Sequence, residues 1–375
     1  MFRWQTGIGV AIGLAAGLAL LTLLGGSGGR RPRPAGPILT ECDGHFRALV
    51  IHYEPAAKEI VSAAHRDFLG ALADDITVYV VCPSRAAFEE LVSILGQVQC
   101  RLSPIVVRHS MTTWSRDRWV ALAPVSPHRP TTLWSPRAEA GEELWPARAG
   151  DQRVGNDLAR VLAPAVVSRR SQLYFDGGDF LADPENVFVI PRVLSRNLQQ
   201  TVRSRDELLL LLRNEFKKRV ILLDESPDHH AGMFMASVGR RTMLVGDPSL
   251  GRPFWSEDSG QFLGLPGGSD FSPATQHLFD AVAAQGTAEG YNVTRIPVIL
   301  SPDGRTYLTY LNVLLDYEGG QSVVYMPVYR GAESLNAAAR GVWEHLGFEV
   351  RPVDCTDAFR HFGCLHCLVN VLSRG

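Results

Sequence analysis

The sequence predicts an α/β domain made of a repeated supersecondary unit, preceded by an apolar N-terminal helix. Three observations carry this. First, short β-branched runs alternate with stretches of helical spacing from about Phe46 onward. Second, three segments share one layout of strand, tight turn and strand ending at proline: GGDFLADPENVFVIP, GMFMASVGRRTMLVGDP and YLTYLNVLLDYEGGQSVVYMP. A segment ending WVALAP is a candidate fourth. Third, the closing prolines Pro124, Pro191, Pro248 and Pro327 lie 67, 57 and 79 residues apart. Such a period suits a closed, propeller-like array of repeats, and the plainer alternative is an open α/β sheet.

The elements follow in order. Residues Gly7 to Gly25 are apolar and uncharged. As a helix they would extend about 28 Å, close to the hydrocarbon thickness of a bilayer. No A-x-A cleavage site follows, so residues 1–29 read as an uncleaved membrane anchor, with a cleaved export signal as the alternative. Arg30, Arg31 and Arg33 follow the span, and Arg3 precedes it. That weakly favours a cytoplasmic domain. Residues 30–41 read as a flexible linker and 42–375 as the folded domain. FRALVIHY, ITVYVVCP and SPIVVRH read as strands. Pro55–Leu72, Arg85–Leu95, Asp206–Phe216, Pro273–Ala284 and Ala332–Leu346 read as helices.

The 375 residues are 46% hydrophobic and 20% charged, enough for a sizeable core. With a net charge of -2 and no long basic run outside the N-terminal linker, a nucleic-acid partner has no electrostatic support. The six cysteines are too sparse for a disulfide scaffold.

Four places combine reactive side chains with turn residues. Trp114-Ser115-Arg116-Asp117 follows a strand; an Arg–Asp pair there is a structural salt bridge or a receptor for a cation. Phe175-Asp176-Gly177-Gly178-Asp179 is a carboxylate-bearing turn, structural or functional. Asp228-His229-His230 sets histidines beside a carboxylate, as a general base needs. Cys364-Leu365-His366-Cys367 offers C-x-x-C redox or metal chemistry, or a lone nucleophile in an apolar strand-like run.

Taken in this order, the four places resemble the guanidino-group-modifying superfamily, nearest to the agmatine deiminase and bacterial peptidylarginine deiminase branch. The resemblance spans roughly Cys42 to Gly375. WSRD is similar to the family's W-x-R-D, FDGGD to its E-G-G-D/N, HHAGMF to its H-x-D strand, YLTYLNV to its S-Y-x-N-F hairpin and CLHCLVN to its H-C-x-T. The resemblance implies a five-bladed α/β propeller of pseudo-fivefold ββαβ repeats. It implies that the Cys367 thiolate attacks a guanidino carbon, that His230 serves as acid and base, and that Asp176 orients His230. Asp117 would hold the guanidinium, with Trp114 and Arg116 in the same binding segment. It implies a small guanidino compound or arginyl peptide as partner, and no metal or organic cofactor. Hydrolysis is the expected reaction, with amidino transfer or a catalytically inactive binding protein as alternatives. The sequence departs from the family at Gly232, where a second guanidinium-binding Asp is usual, and Asp228 is the candidate substitute. Asp also stands for Glu at Asp176, and Arg118-Trp119 follows Asp117.

Overall fold

The computed structural model describes residues 35–140, 146–227, 229–255, 265 and 267–375. The anchor segment, residues 30–34 of the expected linker and Asp228 lie outside these residues. Among the described residues no helix is long and apolar enough to cross a membrane.

Among the described residues the chain forms a mixed α/β fold in which one motif recurs in five sheets. In each, two antiparallel strands are followed by a helix-bearing crossover to a third strand, parallel to the second. The second sheet has Val120–Leu122, Thr131–Ser135 and Val166–Arg170. The third has Phe180–Ala182, Asn186–Val189 and Arg219–Leu222, and the fourth Met235–Gly239, Thr242–Asp247 and Asn292–Pro297. The fifth has Leu314–Glu318, Gln321–Val328 and Glu349–Asp354. The first is completed by the chain's end: Val369–Arg374 pairs antiparallel with Phe46–His52, which runs parallel to Thr77–Cys82 and, beyond it, Arg101–Val106. A short extra pair joins Ile299–Leu300 to Tyr307–Leu308.

The crossover helices form where apolar spacing and capping agree. Lys58–Gly70 buries Val61, Ala64, His65, Phe68 and Leu69, one stripe of a 3.6-residue period. Ser84 and Ser204 accept hydrogen bonds from the N3 amides of Arg85–Leu95 and Arg205–Phe216. Pro191, Pro248 and Pro273 stand at the first turn of their helices, where a missing N–H is harmless.

Two expectations change. Pro124 follows the first strand of its sheet, not the second, so WVALAP opens a hairpin instead of closing one. Residues 35–41 are a packed strap, not a free linker. Gly36 and Leu39 donate backbone hydrogen bonds to Ala123 and Ala121, Glu41 donates to Ala182, and Ile38 is buried. The physical reason is Ile38, an apolar residue that docks against Leu122 and takes its neighbours with it.

Candidate active site

The reactive residues occupy one topological position, just before the first strand of each sheet. Asp117 precedes Val120–Leu122, and Asp176 precedes Phe180–Ala182. His230 precedes Met235–Gly239, Asn312 precedes Leu314–Glu318, and Cys367 precedes Val369–Arg374. Distance along the chain therefore becomes proximity in space.

Cys367 lies on a single helical turn, Leu365–Leu368, and not within the strand as its apolar context suggested. Its backbone amide reaches the Cys364 carbonyl at 3.2 Å, which closes the turn. Neighbouring loops tie the turn in place. The Arg116 amide donates to the Cys367 carbonyl (3.3 Å), and the Ser115 hydroxyl donates to the Leu368 carbonyl (2.7 Å). Asn370 donates to the Ser115 and Trp119 carbonyls. The Trp114 indole lies beside the turn; a Cβ on Gly363 would stand 2.7 Å from it and 3.2 Å from the Cys367 Cβ.

The sulfur faces two groups. His230 Nδ1 is 3.7 Å away, and Asn312 Nδ2 donates to Sγ at 3.5 Å. The other His230 ring nitrogen, Nε2, is 3.8 Å from Asp117 Oδ1. His230 has an extended backbone and enters a 3-10 turn, Ala231–Met233, where the sequence suggested a strand. Its ring is held against the FDGGD turn: a Cβ on Gly178 would lie 2.6 Å from His230 Cγ, so only glycine permits this approach. Gly177 is equally constrained, with its Cβ position 2.2 Å from the Arg116 carbonyl oxygen.

Burial sets the charge states. It pushes the Cys367 thiol up to about 12, and the Asp117 carboxylate adds to the rise. It pushes His230 down to about 3; His229 adds to the fall, while Asp117 and Asp176 oppose it. The resting pair is a neutral thiol beside a neutral imidazole.

Asp176, which the resemblance casts as orienting and charge-stabilising His230, makes no hydrogen bond to it, though its charge favours the protonated imidazole. Its oxygens accept from Arg148 (3.1 Å), Arg196 (3.2 Å) and Arg192 (3.4 Å), and Arg118 stands at 3.7 Å. Burial opposes its ionisation, yet Arg148, Arg118 and Arg196 hold it well below the usual carboxylate range. Asp179 accepts the Asp176 amide at 2.8 Å. Burial and then the Asp176 charge push its carboxyl up to about 8. Asp176, Asp179 and His230 place donor atoms within 4.8 Å of one another. As a metal site the set is poor, because Asp176 is already shared among arginines that would repel a cation.

Arg116 was expected to face a ligand. It is buried and donates instead to Glu41 (2.5 Å), whose other oxygen meets His366 Nε2 at 3.1 Å. The Arg116 guanidinium is thus engaged by the 35–41 strap, with the Phe180 carbonyl as a further acceptor at 3.4 Å. Position 232 is likewise filled: a Cβ on Gly232 would lie 2.9 Å from His366 Nδ1 and 3.4 Å from Asn312 Nδ2. Cys364 is buried against the Tyr329 hydroxyl at 3.3 Å, and all six cysteines are free thiols.

Asn312, Arg148 and Glu41 are the site-forming residues that sequence reasoning did not single out. For Asn312 the signal existed in the YLTYLNV segment; for Arg148 and Glu41 no pattern pointed to a site.

Solved structures share this architecture. An agmatine deiminase of C. jejuni aligns at 16% identity over 90% of this chain and 96% of that one, with a TM-score of 0.63. An agmatine deiminase of Enterococcus faecalis aligns at 16% identity over 92% and 99%, with a TM-score of 0.65. At such identities the likeness is one of fold: the chain has a fold similar to that of these agmatine deiminases. No family model and no curated protein matches the sequence.

Proposed function

We propose that this chain is a cysteine-dependent hydrolase acting on a guanidino carbon, of the agmatine, arginine or peptidyl-arginine type. The observation that carries the reading is the line Cys367–His230–Asp117, with contacts of 3.7 and 3.8 Å in a buried site. Asp117 Oδ1 is buried without a hydrogen-bond partner, as a group kept for a cation would be. Within this proposal the five sheets are blades of a closed α/β propeller, and residues 7–25 tether the domain to a membrane.

A bound guanidinium would pair with Asp117 and bring a positive charge to the thiol, which favours its ionisation. The Cys367 proton passes to His230, and the thiolate adds to the guanidino carbon. The tetrahedral adduct collapses by breaking one C–N bond; His230 returns its proton to the departing ammonia. Water, deprotonated by His230, then adds to the amidino thioether and expels the thiolate, leaving the ureido product. Asn312 Nδ2 donates toward the sulfur and supports it as an anion.

The test is ammonia release from agmatine, arginine and arginyl peptides by residues 35–375 and by its Cys367→Ala variant. Turnover that vanishes in the variant supports the reading, and equal turnover in both refutes it. One observation favours a second reading, a binding protein of the same fold: Asp117 and Asp176 are already bonded by Arg148. That reading predicts saturable binding of agmatine without ammonia release.

A further inference from the structure

Arg148 carries chemistry that the hydrolase reading leaves unused. It belongs to the helix Pro146–Val161. Its guanidinium spans two carboxylates: Nη1 bonds Asp117 Oδ2, and Nη2 bonds Asp176 Oδ1 at 3.1 Å. The side chain is only 16% exposed. This is the fork-to-carboxylate recognition that a guanidino substrate would require, made at the carboxylate facing His230.

The helix that presents Arg148 is docked specifically. A Cβ on Gly150 would lie 1.7 Å from the Ser110 carbonyl oxygen, so the helix approaches that loop as only glycine allows. Asp151 accepts from the Thr112 amide (2.8 Å) and hydroxyl (2.7 Å). Gln152 exchanges hydrogen bonds with the Glu139 backbone, and His109 meets Asp157 at 2.9 Å. These contacts fix the helix beside the Thr112–Asp117 loop.

Arg148 is not alone at Asp176, which Arg118, Arg192 and Arg196 also surround. Its distinctive partner is Asp117. Even there it satisfies one oxygen and leaves Oδ1 unbonded.

We propose that Arg148 is an internal guanidino ligand: it occupies the Asp117–Asp176 carboxylates in place of substrate, and an external guanidino compound enters only by displacing it. The proposal rests on the hydrolase reading for the identity of the site. A tethered ligand acts at an effective concentration in the millimolar range or above. An external guanidinium below that level therefore competes poorly while Arg148 is in place.

The test compares alkylation of Cys367 by chloroacetamidine, a guanidinium-like cation, and by neutral iodoacetamide. Rates are read from the mass of the Cys367 peptide in the unaltered protein, Arg148→Gln and Arg148→Lys. The expected result is chloroacetamidine labelling at least about tenfold faster in Arg148→Gln, measured relative to iodoacetamide, with Arg148→Lys, which keeps the charge but loses the fork, falling between Arg148→Gln and the unaltered protein. Equal acceleration of both probes, no change or a slower rate would overturn it. Should Arg148→Gln lack a cooperative melt, Asp151→Ala serves instead, since it removes the helix's bonds to Thr112 and so loosens Arg148 from Asp117 without altering either residue. Selective acceleration is again expected there, and its absence counts against the internal ligand. Ammonia release is followed in parallel. Selective labelling without turnover in any variant defeats the hydrolase reading and leaves the internal ligand standing. Turnover with unselective labelling does the reverse.

Discussion

Asp117→Asn separates binding from nucleophile activation, because the two should move in opposite directions. The substitution keeps the size of the side chain and removes its charge. On the binding side it deletes a charge-assisted contact to the guanidinium, a loss of about 1.5–3 kcal/mol. That corresponds to a roughly ten- to 150-fold fall in kcat/KM. On the nucleophile side, Asp117 is the charged neighbour that adds to burial in raising the Cys367 thiol. Its removal should lower the thiol from about 12. Two assays are needed. Steady-state ammonia release gives kcat/KM, and the pH midpoint of Cys367 alkylation by iodoacetamide gives the thiol. The expected outcome is a lower kcat/KM together with a lower alkylation midpoint. A midpoint that stays or rises, or a kcat/KM that is unchanged, would refute the placement of Asp117 between substrate and thiol.

Other outcomes follow from close contacts and buried groups. Gly178→Ala places a Cβ 2.6 Å from the His230 ring, so the ring must leave its position beside the sulfur; kcat should drop by about a hundredfold, with a cooperative melt retained. Gly232→Asp should not restore tighter guanidino binding, because its side chain meets His366 and Asn312; KM should not fall, and stability should fall by about 1–3 kcal/mol in denaturant titration. His65 is buried with neither ring nitrogen bonded, and burial pushes it down to about 4. Between its ordinary value of 6.5 and about 4 the unfolded chain holds more protons than the folded one, so this contribution is lost as pH falls through that window. His65→Leu should therefore lose about 2 kcal/mol less stability between pH 7 and pH 5 than the unaltered protein, as read from urea midpoints.

Much of the fold was legible because its elements are periodic. Phe46–His52, Thr77–Cys82 and Arg85–Leu95 fall within a residue or two of their expected spans. The site was legible because each reactive residue sits at the same point of a repeat, in a glycine-rich or polar turn before an apolar strand. The failures have physical causes. A one-turn helix such as Leu365–Leu368 has no period to detect, so Cys367 read as part of its strand. The strap 35–41 is held by backbone hydrogen bonds and one buried side chain, Ile38, which composition cannot reveal. Through it Glu41 reaches Arg116 and His366, and that pairing drew Arg116 away from its expected role. The helix Pro146–Val161 carries little apolar surface, burying two glycines and Asp151 beside Val154 and Leu158. Its Arg148 was thus invisible as part of the site.

The most direct measurement is trapping of the covalent intermediate. Residues 35–375 are mixed with agmatine or arginine, quenched in acid within a turnover, digested and weighed. The expected result is a gain on the Cys367 peptide equal to the substrate less ammonia, absent from Cys367→Ala and enriched in His230→Gln under conditions where its attack step still occurs. Ammonia release with no adduct on Cys367, or release that survives Cys367→Ala, would contradict a cysteine nucleophile at this site.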